Sequence, residues 1–124
     1  MNYGAALPGG SLTAIQPGDG LYLWNAETPA APQASIVLVR ALGPTGEAGI
    51  TFSINFAAAP TDSLQILGSN KPPAAAFTLT DWESLYTSSN KQNDSYTDTA
   101  RFEYYCAYLA SQSAGGALTV IAQR

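Results

Sequence analysis

The segment Ile50–Phe56, ITFSINF, alternates apolar and polar residues without exception. Ile50, Phe52, Ile54 and Phe56 fall on one side of an extended chain, and Thr51, Ser53 and Asn55 on the other. That is a strand with one buried and one wet face. No segment repeats apolar residues at helical spacing over three turns, so no helix longer than one or two turns is expected. Gly20–Trp24 and Ser63–Ser69 also alternate, and Ala34–Leu42, with Ile36, Leu38 and Arg40 on one face and Val37 and Val39 on the other, reads as a strong strand. In Gly20–Trp24 the alternation puts Leu21 and Leu23 on one side and Tyr22 and Trp24 on the other. Phe77–Ser89 reads as one bent strand or two short ones.

Turns follow from Gly and Pro at short intervals. Eight or so strands of this kind predict an all-β, antiparallel β-sandwich, and that number suits a jelly-roll-like arrangement. Ile50–Phe56 is too wet on one face to line a filled barrel. Residues 1–10, rich in Gly and Pro, read as an extended N-terminal arm, with residues 11–124 as the single sandwich domain. Ser11–Ile15 is a candidate for brief pairing. Asn90–Ala100 is polar and turn-rich and reads as the longest irregular stretch. The closing segment Arg101–Arg124 reads as two central strands joined by a hairpin loop, SQSAGG. Phe102, Tyr104, Cys106 and Tyr108 share one face of the first strand; Leu118 and Val120 share a face of the second.

Charge narrows the function. Only 11% of the residues are charged, with five basic and nine acidic side chains and a net charge of −4. Ordinary soluble domains carry about 25%. A surface so poor in charge suits a protein covered by partners or held in a large assembly. The scattered basic residues cannot neutralise a run of phosphates, so nucleic acid is not an expected partner. No apolar run approaches the roughly 20 residues of a membrane span. The first ten residues do not read as a signal peptide.

Catalytic and metal-binding patterns are weak. The chain has no histidine, which removes His-based triads and His-ligated zinc. The lone Cys106 lies mid-strand between aromatics and reads as a buried core thiol rather than a nucleophile. Asp81 and Glu83 flank Trp82 on one strand face, but such a pair needs a cleft to act as acid and base. Asp94 and Asp98 sit among side-chain oxygens that calcium favours, yet they lack the Ca-loop pattern, and Asx-turn chemistry explains the segment equally well. No cofactor is expected. Tyr22, Trp24, Trp82, Tyr86, Tyr96 and Tyr105 are the aromatics that could face a partner or stack on a sugar.

The arm MNYGAALPGGS, the body rich in Ala, Gly, Thr and Ser, and the ending RFEYYCAYLASQSAGGALTVIAQR together resemble the head decoration, or cement, proteins of tailed phages. The resemblance implies a non-enzymatic virion protein, made in the host cytoplasm and placed on the capsid surface. Its expected partners are the major capsid protein or other virion proteins, and copies of itself as a dimer or trimer. A tail or neck component, or a carbohydrate-binding sandwich module, is the alternative. The expected partner-contacting residues are Met1, Asn2, Tyr3 and Leu7 of the arm, together with Tyr22, Trp24 and Tyr96.

Overall fold

The computed structural model describes residues 12–15, 20–40, 49–61, 63–74, 76–99, 102–111 and 116–123. The expected arm, with Met1, Asn2, Tyr3 and Leu7, lies outside these residues. Among the described residues, ten strands run in chain order: β1 (Leu12–Ile15), β2 (Gly20–Glu27), β3 (Gln33–Ala34), β4 (Val37–Arg40), β5 (Ile50–Phe56), β6 (Ser63–Ser69), β7 (Glu83–Ser89), β8 (Asn93–Asp98), β9 (Tyr104–Leu109) and β10 (Leu118–Gln123). They form two sheets packed face to face. Sheet A has the order β1-β4-β9-β6-β7, with β3 also on β9; sheet B has the order β2-β10-β5-β8. Every ladder is antiparallel except β1 on β4, which is parallel. The all-β sandwich expected from alternation is therefore present.

The pairing is nested. β6 pairs with β7, β5 with β8, β4 with β9, and β2 with β10. Each successive pair encloses the one before it, and the pairs alternate between the sheets. This overturns the expected hairpin near the C-terminus, because β9 lies in sheet A and β10 in sheet B. Leu109 and Tyr105 face Leu118 and Val120 across the interior rather than along one sheet. Apolar alternation fixes which face a strand buries; it does not say which sheet the strand joins.

The interior is built from the predicted rows. Ile50, Phe52, Ile54 and Phe56 of β5 are buried together with Leu64, Ile66, Leu118, Val120 and Ala122. Burying each large apolar side chain contributes about 1.5–3 kcal/mol. Bulges adjust this pattern. In β2, Tyr22 opposes Ile121 and Trp24 opposes Val120, leaving Leu23 as an extra residue. Leu23 and Trp24 consequently both point inward and are fully buried. The simple alternation that put Trp24 on the Tyr22 face fails here, and Trp24 offers no ring to a partner. A second extra residue in the same strand brings Ala26 to φ 53, and its N–H donates to the Thr119 hydroxyl at 3.0 Å.

A further bulge splits the described part of the expected strand Ala34–Leu42 into β3 and β4. Ala34 opposes Tyr108 and Leu38 opposes Tyr105, so three residues span the distance of two. Ser35 repairs the ladder: its N–H donates to the Ala107 carbonyl at 2.7 Å, and its hydroxyl accepts the Ala107 N–H at 2.9 Å. The same hydroxyl donates to the Ile36 carbonyl at 2.8 Å. Gly68 lies where a Cβ would come within 2.7 Å of the Phe102 ring and 2.9 Å of Leu85, so a larger residue there has no room.

Replacing the fully buried Ser35 strands the Ala107 N–H. Ser35→Ala is expected to lower stability by about 1–3 kcal/mol in urea unfolding, with an unchanged m-value.

Candidate interaction surface

The two outer faces differ. On sheet A, the connection from β6 to β7 folds back over Ala34, Val37, Leu67 and Cys106. Ser69 anchors it, donating its hydroxyl to the Asp81 carbonyl at 2.8 Å and accepting the Lys71 N–H at 3.0 Å. The Lys71 ammonium meets the Asp81 carboxylate at 2.9 Å. Phe77 stacks between Tyr108 and Trp82, with ring centroids 5.3 and 6.2 Å away. The segment Phe77–Ser89 thus becomes a 3-10 turn at Leu79–Asp81 followed by one strand, β7. Asp81 is committed to Lys71, whereas Glu83 is exposed. Cys106 is fully buried, and burial pushes its thiol far above its ordinary pKa, which leaves no thiolate for nucleophilic chemistry.

At one side of the sandwich the edge strands β7 and β8 are held together by tyrosines and carboxylates. Tyr86 stacks on Tyr96 at 5.0 Å with the rings 8° apart, and Tyr96 stacks on Phe52 at 6.4 Å. The Tyr86 hydroxyl donates to Asp94. Tyr96 and Tyr105 donate to the two oxygens of Asp98 at 2.8 and 2.7 Å, and Asp98 is buried. Tyr105 belongs to sheet A and Asp98 to sheet B, so this contact ties the layers. Asn90–Ala100, read as irregular, instead contains β8. Its inward row is Asp94, Tyr96 and Asp98, a polar row that conceals the strand pattern from a hydrophobicity argument. The oxygens considered for calcium accept tyrosine hydroxyls and, at Asp94, the Ser95 N–H at 2.8 Å. Among the described residues no three His, Cys, Asp or Glu side chains group as metal ligands.

The outer face of sheet B is built mostly from small and polar side chains among the described residues. Thr97, Thr51 and Gln123 form one row across the strands. Ser95, Ser53, Ile121 and Tyr22 form the next, and Asn93, Asn55 and Thr119 the third. None of these is charged. The polar side chains partly satisfy one another: Thr51 and Thr97 hydroxyls meet at 2.9 Å, and the Asn55 amide donates to Asn93. Tyr22 is 44% exposed. Of the three sandwich residues expected to meet a partner, the structure leaves Tyr22 on the surface, buries Trp24, and half-buries Tyr96 in the β7–β8 clasp. The sequence contained the signal for this face, the polar halves of β5, β8 and β10, but apolar residues drew attention away from it.

No protein-family model, curated protein or solved structure matches the chain. No helix among the described residues is long and apolar enough to cross a membrane.

Desolvation raises the Asp94 pKa, but the hydrogen bonds from Tyr86 and the Ser95 N–H, with the nearby Lys91 charge, outweigh it and leave it below its ordinary value. A lowered folded-state pKa adds stability above the unfolded-state value and loses it as pH falls through the folded-state value. Asp94→Asn is therefore expected to flatten the acid limb of the stability curve below about pH 4, measured by thermal melts across pH. A cycle with Tyr86→Phe is expected to give a coupling of about 1 kcal/mol.

Proposed function

We propose that this chain is a non-enzymatic virion structural protein, a head decoration protein with a jelly-roll sandwich that binds across capsid subunits and stabilises the shell. The observation that carries the reading is the nested strand pairing. Setting aside β1 and β3, the eight remaining strands pair first with last, second with seventh, third with sixth and fourth with fifth. That order supports the jelly-roll reading, an architecture used by viral capsid domains and by lectins. Fold alone does not choose between those roles. The charge-poor surface favours burial against protein. A sugar would need free hydrogen-bonding groups, whereas two cross-strand pairs on the outer face of sheet B are already bonded, Thr51 to Thr97 and Asn55 to Asn93.

The physical effect is added interface. A standard contact buries about 1,600 Å² in total, and several copies bound around a symmetry axis gain by avidity. Each bound copy raises the barrier to rupture from packed DNA. A tail or neck location would use the same contacts on a different assembly.

Purified protein added to undecorated capsids of the phage that encodes it is expected to co-sediment at saturating stoichiometry and raise the temperature of DNA release. Binding to tail or neck particles alone would move the protein to that assembly. Absence of binding to any virion particle would end the reading.

A further inference from the structure

We infer that Tyr86 and Tyr96 form an oxidative cross-linking site, at which a one-electron oxidant joins the two rings ortho carbon to ortho carbon and closes the β7–β8 side of the sandwich covalently. The rings are already stacked, with centroids 5.0 Å apart and planes 8° apart. They come from different layers, Tyr86 from β7 of sheet A and Tyr96 from β8 of sheet B. The remaining ring pairs among the described residues each include a phenylalanine, which has no hydroxyl proton to lose. Each phenol of the stacked pair also has a proton acceptor in place. The Tyr86 hydroxyl donates to Asp94, and the Tyr96 hydroxyl to Asp98 at 2.8 Å. A phenol that loses an electron becomes a strong acid, so a carboxylate within hydrogen-bond reach takes its proton as the electron leaves. Tyr105 donates to Asp98 as well, but it is fully buried, and its described ring neighbours are Phe52 and Phe102.

Burial directs the product. Tyr86 and Tyr96 are both half-buried, so a small oxidant reaches them while packing holds each ring against the other. Radicals formed there meet within one chain sooner than they meet a tyrosine of another. The step balances. The two phenols give two electrons to the oxidant and their two hydroxyl protons to Asp94 and Asp98. One carbon–carbon bond forms between the rings. The hydrogens on the two joined carbons then move to the phenol oxygens, which restores both aromatic rings. The chain loses two hydrogens in all. Residues 86–96 become a closed loop across the connection from β7 to β8, and a closed loop restricts the unfolded chain. Cross-linking is independent of the shell-binding reading, since it uses the clasp between β7 and β8 and no partner surface.

The test exposes the dilute full chain to photo-oxidised tris(bipyridyl)ruthenium, with persulfate as the final electron acceptor. Dityrosine fluorescence is expected, in a single chain lighter by two hydrogens. Lys91 lies between the two tyrosines, so trypsin is expected to release a joined pair of peptides, one holding Tyr86 and the other Tyr96. Tyr86→Phe and Tyr96→Phe, each confirmed folded by circular dichroism, are expected to lose this link, whereas Tyr22→Phe keeps it. If Tyr96→Phe melts early, Tyr86→Phe carries the comparison. Asp94→Asn is expected to slow the link at least about tenfold, because an amide cannot take the proton. The cross-linked chain is expected to melt at least about 5 °C higher than the untreated one. Links confined to other tyrosines or to pairs of chains would overturn the inference, as would a joined peptide pair that survives Tyr86→Phe. A wild-type rate in Asp94→Asn would overturn the part given to the carboxylate.

Discussion

Closure of this sandwich depends on the inward row of β5. Phe52 sits at its middle, with Ala122 of β10 on one side and Tyr96 of β8 on the other. Its ring reaches across the interior to Tyr105 of sheet A, 5.6 Å between centroids. One side chain therefore touches both layers and three strands. The polar tie is added around it: Tyr96 and Tyr105 lie beside Phe52 and both donate to Asp98. A buried carboxylate is costly unless its oxygens are bonded. Here the aromatic packing that fills the core also delivers the hydroxyls that satisfy it.

The strand faces were largely legible, and the strand partners were not. Ile50–Phe56 could be assigned residue by residue, because one face is apolar and the other polar. The alternation of Tyr105, Ala107 and Leu109 against Tyr104, Cys106 and Tyr108 also held, since a two-residue period survives any choice of neighbour. Partnering follows long-range topology, which has no local signature, so β9 and β10 looked like a hairpin. Bulges were invisible for a related reason. An extra residue at Leu23 or Ser35 costs nothing in composition, yet it turned Trp24 from the surface into the core. β8 was missed because its inward residues are Asp and Tyr, and only the structure shows that they satisfy one another.

The two outer faces give the molecule a direction. Sheet A has its apolar surface covered by its own chain, pinned through Ser69 and the Lys71–Asp81 pair. Sheet B presents only neutral side chains in regular rows. The outward described positions of β5, β8 and β10 carry no Lys, Arg, Asp or Glu.

The nested order also has a consequence for biosynthesis. β10, the last of the described strands, lies inside sheet B between β2 and β5. Until it emerges from the ribosome, β2 has no sheet to join, and β5 is paired on one side only. Contacts between such distant segments close late, and folding governed by them is slow. A nascent chain would therefore hold the edges of β2 and β5 open to misassembly until β10 has been made.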